Sequence, residues 1–241
     1  MQNKKFSDFF QERGILAPTL DVVEHVNEFL ISLVPGDENE YISYDSVCKS
    51  DENSEVQSEW FTTEFLNNIK CSGIPNHKSR FKVGCPIMLM RNIDQAARLC
   101  NGTKLIVNNL GKNFISATVI TGKNDGEIVI ILRMKLVPSD PGLPFKFTKR
   151  QFPLALCFAM TINKSQGQSL SHVGIYLSKP VFTLGQLYIV VLRVTSKTVC
   201  VLKPLMLCTV MFFGTFNRSF LMTQVGMSFF FSFKLCCNIY F

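Results

Sequence analysis

The first hydrophobic pattern in the chain predicts a strand followed by a helix. Residues 13–17 predict a short strand, apolar after Arg13, that ends at Pro18. The apolar residues then recur at helical spacing, with Thr19 or Asp21 as the predicted cap and Pro35-Gly36 as the end of the helix. The residues of this apolar face are Val22, Val23, Val26, Phe29, Leu30 and Leu33. A strand, a turn and a helix of this length predict an α/β layer with a partly parallel sheet.

The next part of the chain is polar. Residues 37–59 hold eight acidic residues and one lysine, which predicts a solvated loop. A short helix is predicted at residues 60–69.

From residue 81 the pattern changes to short β-rich runs separated by turn signals. The predicted strands cover residues 81–90, 104–110, 114–121 and 127–132. Asn-Gly and similar turn sequences lie between them. Several short strands at close spacing predict a small antiparallel barrel, inserted into the α/β domain.

Two further apolar runs, residues 154–162 and 173–177, predict strands of the α/β domain, and residues 182–194 predict a helix. A polar loop at 163–169 follows the first of these strands. Ligands bind at such strand ends in open α/β sheets, and this loop suits phosphate or sugar oxygens, with Lys164 supplying charge. An ordinary polar turn accounts for the same residues equally well.

Arg193 is the one charged residue in the helix predicted at 182–194. A partly buried guanidinium needs an anionic partner. That partner is either a carboxylate in the core or a phosphate, whose geometry the guanidinium fork matches.

Charge divides the chain of 241 residues into an acidic and a basic part. Residues 1–80 carry 7 basic and 14 acidic side chains, residues 81–241 carry 18 and 4, and no acidic residue follows position 150. This asymmetry favours a polyanionic partner, with nucleic acid ahead of an anionic membrane surface.

The nine cysteines form no Cys-x-x-Cys pair and only three histidines accompany them, which excludes a zinc ribbon or finger. With a polar N-terminus, they predict reduced thiols of an intracellular protein.

The last segment, residues 204–241, has its own composition. It holds nine of the 22 phenylalanines, and its two apolar runs are each shorter than a bilayer span. It is interpreted as an aberrant C-terminus, with a peripheral membrane or partner segment as the alternative.

Four segments of the chain resemble, in order, four segments of one helicase family. Residues 161–169 (TINKSQGQS) are similar to helicase motif V, and residues 185–196 (GQLYIVVLRVTS) to motif VI. Residues 13–19 (RGILAPT) resemble the motif IV region, and residues 81–103 resemble an SH3-like insert. The chain is therefore similar to the RecD-related, petite-integration-frequency (PIF) family of superfamily-one DNA helicases, especially its plant and Helitron-transposon branch.

The resemblance implies an α/β fold: a second RecA-like domain, with a partly parallel sheet and flanking helices, interrupted by a small SH3-like β-barrel insert. The implied divisions are a disordered N-terminus at 1–12, the first part of the RecA-like domain at 13–60, the insert at 61–150, the rest of the domain at 151–203 and the hydrophobic tail at 204–241.

The resemblance also implies roles for individual residues. Arg193 is expected to be an arginine finger that reaches the γ-phosphate of ATP, with Gln166 as a second catalytic residue. Gly167, Gln186 and Tyr188 are expected to contact the nucleotide. The residues expected to bind DNA are Thr161, Asn163, Lys164, Ser165, Arg91, Asn101, Lys104 and Arg150.

The sequence lacks the loop that holds phosphates in this family, Gly-x-x-x-x-Gly-Lys-[Ser/Thr]. The nearest fragment has Ile106 in place of the first glycine and Asn113 in place of the magnesium-binding hydroxyl. The first RecA-like domain is therefore expected to be missing. ATP and Mg²⁺ are expected in the intact family enzyme, and this chain alone is expected to bind neither well and to hydrolyse no ATP.

The leading hypothesis is a C-terminal fragment of an ATP-dependent 5′-3′ DNA helicase, whose family acts in DNA repair, recombination and telomere maintenance. Its expected partner is single-stranded DNA or a forked duplex, with no obligate protein partner, and its expected location is the nucleus or the mitochondrion. The alternatives are a non-catalytic single-stranded nucleic-acid-binding module, a transposon-derived relic and a membrane-associated protein anchored by its tail.

Overall fold

The computed structural model describes residues 10–11, 13–48, 62–69, 71, 73–122, 124–138, 145–165, 170–176 and 194–202, with the backbone alone for residue 171 and for 194–202. The elements are β1 Arg13–Ala17, α1 Leu20–Leu33, β2 Asn39–Ile42, β3 Tyr44–Val47, α2 Thr63–Asn68, β4 Lys78–Phe81, β5 Pro86–Leu89, β6 Lys104–Leu110, β7 Phe114–Val119, β8 Ile128–Leu132, β9 Met134–Leu136, β10 Phe147–Gln151, β11 Leu154–Leu156, β12 Ala159–Thr161, β13 Leu170–Tyr176 and β14 Val194–Leu202.

Four parallel strands form one sheet in the order β12-β1-β13-β14. Helix α1 follows β1 and packs against β1 and β12. The buried Asn27 of this helix donates from Nδ2 to the carbonyl oxygens of Leu156 and Ala159, both at 3.2 Å, and its Oδ1 accepts from the Ala159 amide at 2.8 Å. The predicted strand at 13–17, the helix after it and the partly parallel sheet are confirmed.

The other strands of the described chain form three antiparallel sheets, in the orders β11-β5-β6-β7-β8, β3-β10-β9 and β2-β4. Arg133 connects β8 to β9: its Nη1 donates to the carbonyl oxygen of Ile42 at 2.7 Å. Its guanidinium also lies over the rings of Tyr41 and Phe152, 5.7 and 5.1 Å from their centroids. The predicted strands at 104–110, 114–121 and 127–132 correspond to β6, β7 and β8.

The SH3-like barrel is not confirmed. In the part of the chain that the structure describes, β8 and β11 are the two edges of the five-stranded sheet and no pairing joins them. On β8, Ile128, Ile130 and Leu132 are 69%, 66% and 62% exposed, while Ile131 is buried. The sheet is therefore open, with an apolar outer face along one edge strand.

The apolar run at 154–162 predicts a single strand, and that prediction is wrong. β11 pairs antiparallel with β5, whereas β12 pairs parallel with β1, so the chain passes from one sheet to the other at Cys157 and Phe158. Both of these residues are buried, and for that reason the apolar pattern continues through the turn without a break.

The run at 81–90 also contains more than one strand. β4 ends at Phe81 and β5 begins at Pro86. Gly84 between them has φ +84°, a left-handed conformation that favours glycine.

The acidic segment contains strands that the sequence analysis assigned to a loop. β2 and β3 occupy most of residues 39–47, with Tyr41 and Asp45 buried and Glu40 directly opposite Arg80 of β4. Charge dominates the composition here and hides the alternation of buried and exposed positions. The later part of the segment, at 49–59, lies outside the described residues.

The short helix predicted at 60–69 is present as α2, Thr63–Asn68, and residues 60 and 61 lie outside the described residues. The Thr62 hydroxyl accepts a hydrogen bond from the Phe65 amide at 3.3 Å.

The helix predicted at 182–194 and the tail at 204–241 lie outside the described residues, except that Val194 begins β14, which pairs parallel with β13. Among the described helices, none combines the length and the apolar character needed to cross a membrane.

One hydrophobic core joins the parallel sheet, α1 and the five-stranded sheet. It includes Ile15 of β1, Val26 of α1, Leu89 of β5 and Leu105 of β6, all buried. A second buried cluster contains Leu16, on the opposite face of β1. The inserted sheets and the α/β layer are thus packed together, and the loop that follows β12 extends from this shared framework.

Candidate nucleic-acid interface

The polar loop after β12 lies at the carboxyl end of the parallel sheet. In the β1–β12 pair, Thr161 is the partner of Ala17, and the Ile162 amide donates to the Ala17 carbonyl at 3.3 Å. The loop therefore leaves the sheet beside Pro18 and the start of α1. The carboxyl edge of neighbouring parallel strands is where open α/β sheets bind their ligands.

Local hydrogen bonds fix the shape of this loop. Ser165 is fully buried, and its hydroxyl and amide both donate to the Ile162 carbonyl, at 2.6 and 3.2 Å. The Lys164 amide donates to the Thr161 hydroxyl at 3.4 Å. Four residues of the loop are predicted to contact DNA. Two of them, Thr161 and Ser165, use their hydroxyl groups for hydrogen bonds within the loop.

The other two predicted contacts face solvent. Asn163 and Lys164 are exposed in the 3₁₀ turn. They present an amide and an ammonium group at the sheet edge, which suits a phosphate or sugar oxygen. The remaining members of the motif V resemblance, Gln166 and Gly167, lie outside the described residues. So do the motif VI residues Gln186, Tyr188 and Arg193.

Lys104 lies inside the protein, which does not fit the predicted contact with DNA. Lys104 is 2% exposed, and burial lowers the pKa of its ammonium group. Burial also raises the pKa of the Cys157 thiol, against the opposing effect of the Lys104 and Lys164 charges. Lys104 is buried because it begins β6, a central strand of the five-stranded sheet, and is followed by the buried residues 105–107.

The predicted contacts on the inserted sheets are spread over two places. Asn101 is exposed in a turn, where its backbone amide donates to Asn92 Oδ1 at 2.8 Å. Arg91 is half-buried and donates from Nη2 to the Val137 carbonyl at 3.1 Å, at the end of β9. Arg150 is exposed on β10, the strand that pairs with β9.

A buried polar network behind Arg150 escaped the sequence analysis. Lys149 Nζ lies 3.3 Å from Asp45 Oδ2, and the Ser43 hydroxyl donates to Asp45 Oδ1 at 2.6 Å. The Ser43 hydroxyl also lies 2.8 Å from His77 Nδ1. Gln151 donates from Nε2 to the Tyr41 carbonyl at 2.9 Å. The alternation of inward and outward positions along β10 is the one sequence signal for this network.

Metal binding finds no support in these residues. Over the described ranges, no three His, Cys, Asp or Glu side chains are grouped so that they could hold a metal ion.

Comparison with known proteins finds similarity to Pif1 helicases. Residues 64–110 match the family model described as DNA helicase Pif1, 2B domain. ATP-dependent DNA helicase PIF1 of Xenopus laevis is 29% identical over 187 residues, which cover 75% of this chain and 26% of that protein. The chain spans 15% to 28% of the length of the curated relatives that it matches.

Solved structures agree with the observed architecture. A structure of two coordinating Pif1 helicases at forked dsDNA matches with a TM-score of 0.58 and 20% identity, over 83% of this chain and 42% of that chain. Pif1 helicase from Bacteroides in complex with ADP-AlF3 and ssDNA matches with a TM-score of 0.56 and 19% identity, over 83% and 44%. The fold is therefore an α/β fold of the kind found in Pif1 helicase structures. The sequence matches connect the chain with the Pif1 helicase family.

Proposed function

We propose that this chain is part of an ATP-dependent 5′-3′ DNA helicase, to which it contributes the second RecA-like domain and the sheets inserted in it. The observation that carries the proposal is the Thr161–Ser165 loop. It leaves the carboxyl edge of a parallel sheet beside the start of α1, with Asn163 and Lys164 exposed. The similarity to Pif1 helicases in sequence and fold supports it.

The substrate of the proposed helicase is single-stranded DNA or a forked duplex. Lys164 and Asn163 contact the strand at the sheet edge, and Arg91, Asn101 and Arg150 contact it on the inserted sheets. Residues 81–150 carry 11 basic and 4 acidic side chains, which favours binding to a phosphate backbone. Repair, recombination and telomere maintenance in the nucleus or mitochondrion are the proposed settings.

ATP hydrolysis belongs to the longer enzyme. Arg193 acts there as the arginine finger, Gln166 is a second catalytic residue, and Gly167, Gln186 and Tyr188 contact the nucleotide. The phosphate-binding loop and the Mg²⁺ site come from the first RecA-like domain. This chain alone binds DNA weakly and hydrolyses no ATP.

A second candidate is a non-catalytic module for single-stranded nucleic acid, including a transposon-derived relic. Binding of this kind needs only exposed polar and basic side chains, such as those of Asn163 and Lys164, and these favour it. Both candidates share the DNA contacts and differ in ATP hydrolysis.

The test measures binding of the full chain to a fluorescent oligonucleotide at several salt concentrations. Replacing Lys164 with alanine is expected to weaken binding and to reduce the slope of log affinity against log salt by about 0.7. Lys112→Ala, an exposed lysine in the β6–β7 turn, is the matched control. Absence of salt-dependent binding by the unaltered chain contradicts both candidates.

A second measurement separates the two candidates. When the chain is joined to a complete first RecA-like domain, Arg193→Ala is expected to lower ATP hydrolysis by about 10³- to 10⁵-fold and to leave DNA binding intact. Full hydrolysis by that variant removes Arg193 from the arginine-finger role. Failure of the unaltered fusion to hydrolyse ATP favours the non-catalytic module.

A further inference from the structure

The outer face of the β3-β10-β9 sheet carries an aromatic ring beside two basic side chains. We infer that this face binds one strand of DNA, with Tyr44 stacking on a base and Arg150 and Lys135 contacting phosphates. These three residues are called the Tyr44 row. The inference rests on the proposed function, because it presumes a DNA-binding protein, and it adds a base-stacking contact outside the loop after β12.

The strand register places the three side chains next to one another. Arg150 is directly opposite Tyr44 in the β10–β3 pair and directly opposite Lys135 in the β10–β9 pair. Side chains at directly opposite positions project from the same face of a sheet. With neighbouring strands about 4.8 Å apart, the row is about 10 Å long.

All three side chains are open to solvent. Tyr44 is 71% exposed, and Arg150 and Lys135 are exposed as well. In the next row of the same face, the hydroxyls of Ser46 and Thr148 lie 2.9 Å apart. The outward positions of β3, β10 and β9 hold no carboxylate, since Asp45 points inward and is buried.

This combination fits single-stranded nucleic acid better than a protein partner. Non-specific strand-binding proteins pair a positively charged surface with aromatic rings on which bases stack. Tyrosine and arginine also occur at protein interfaces, but lysine is depleted there, and two basic side chains without a carboxylate on the same face match a phosphate backbone. The hydroxyls of the second row add donors for sugar or phosphate oxygens.

The opposite face of the sheet holds Tyr44 in place. Its chain neighbours, Ser43 and Asp45, are both buried, and Asp45 is directly opposite Lys149, with their charged groups 3.3 Å apart. A shift of the register by one residue turns every side chain to the other face, and it exposes this ion pair while burying Tyr44 and Arg150. The ring is therefore fixed outward before any ligand binds, which lowers the entropy cost of binding.

The Tyr44 row is also continuous with another proposed DNA contact. Arg91 donates to the carbonyl of Val137, which follows β9 directly. A strand that crosses the row from Tyr44 to Lys135 reaches the loop that contains Arg91.

The test uses the full chain and an oligonucleotide that contains 2-aminopurine, a base whose fluorescence falls on stacking. Tyr44→Ala is expected to bind about 5- to 150-fold more weakly, with an unchanged salt slope and with loss of the fluorescence change. Tyr44→Phe keeps the ring and is expected to retain both. Lys135→Gln is expected to reduce the salt slope by about 0.7.

Matched controls lie elsewhere on the surface. Phe29→Ala removes a ring that is 39% exposed on α1, and Lys112→Gln removes an exposed charge. Neither is expected to change binding. Circular dichroism of Tyr44→Ala checks that the variant is folded.

The possible outcomes distinguish a failure of the Tyr44 inference from a failure of the proposed function. If the unaltered chain binds and Tyr44→Ala binds equally well, the inference is overturned and the proposed function stands. Equal rescue by Tyr44→Phe and Tyr44→Leu also overturns it, because leucine offers no ring. If the unaltered chain shows no salt-dependent binding, both fail together.

Discussion

Lys149 and Asp45 form a buried ion pair, with Nζ and Oδ2 separated by 3.3 Å between the directly opposite positions of β10 and β3. Their side chains are 1% and 0% exposed. The pair joins a strand from the acidic first part of the chain to one from the basic insert. It thereby fixes the register of the sheet whose outer face carries Tyr44.

Removing one partner of this pair is expected to destabilise the protein strongly. Asp45→Asn leaves the Lys149 ammonium buried without a carboxylate, and it is expected to lower the free energy of unfolding by about 3–5 kcal/mol. Lys149→Met is expected to cost less, because His77 Nδ1 lies 3.7 Å from Asp45 Oδ2 and the Ser43 hydroxyl donates to Asp45 Oδ1. Urea denaturation measures the change. The control is the exposed Arg80–Glu28 pair at 3.2 Å, where Glu28→Gln is expected to cost no more than about 1 kcal/mol. If the free energy of unfolding falls equally in the Asp45 and Glu28 variants, the buried Lys149–Asp45 pair contributes no more than an exposed ion pair.

Asn27 attaches α1 to the point at which the chain passes between sheets. Asn27→Ala removes the three hydrogen bonds that the side chain makes with the Ala159 amide and with the carbonyl oxygens of Leu156 and Ala159. We expect a loss of about 2–4 kcal/mol in the free energy of unfolding, since each unpaired buried group costs roughly 1–3 kcal/mol when it is not rehydrated. Ser32→Ala, exposed on the same helix, is expected to change stability by less than about 1 kcal/mol. A small effect at Asn27 means that water replaces its hydrogen bonds.

Neighbouring isoleucines on β8 are expected to respond in opposite ways. Ile131 is 1% exposed and Ile130 is 66% exposed. Ile131→Ala creates a cavity and is expected to cost about 2–5 kcal/mol, whereas Ile130→Ala is expected to cost no more than about 1 kcal/mol. Thermal denaturation of both variants tests this difference. Similar losses at the two positions show that another part of the chain covers the outer face of β8.

Lys104 is expected to contribute nothing to DNA binding. Lys104→Met replaces a buried ammonium with an apolar side chain of similar length, so the salt slope of DNA binding is expected to stay unchanged. A decrease of about 0.7 in the slope would show that Lys104 reaches the phosphates after all.

Burial raises the pKa of the Cys85 thiol to about 12. At pH 8 the native chain is therefore expected to protect Cys85 from iodoacetamide, since the thiolate is the reactive form, while the half-buried Cys100 reacts. The pKa of Cys85 is higher in the folded chain than its unfolded value of about 8.5. The contribution of the protonated thiol to the free energy of unfolding is therefore complete below pH 8.5 and is lost as the pH rises toward 12. Peptide mass mapping measures the labelling.

The pH effect has its own control. Denaturation at pH 8 and pH 10.5 is expected to show a decline in the stability of the unaltered chain that is smaller in Cys85→Ala. An identical decline in both assigns the pH dependence to other groups.

The sequence by itself determined the elements whose signals are local. The apolar face of α1 and the Pro-Gly that ends it predict its extent, and the run at 104–110 coincides with β6. The resemblance to a helicase family also follows from four ordered sequence segments. The similarity to Pif1 helicases supports that assignment at the family level.

Only the tertiary structure decided which apolar and charged residues lie inside. The run at 154–162 belongs to two sheets because Leu156 and Ala159 pair with strands distant in sequence. Lys104 is buried, although lysine is mostly exposed in folded proteins, while the aromatic ring of Tyr44 is exposed. Hydrophobic periodicity reports the local conformation of a segment, whereas burial depends on the long-range pairing that places one segment against another.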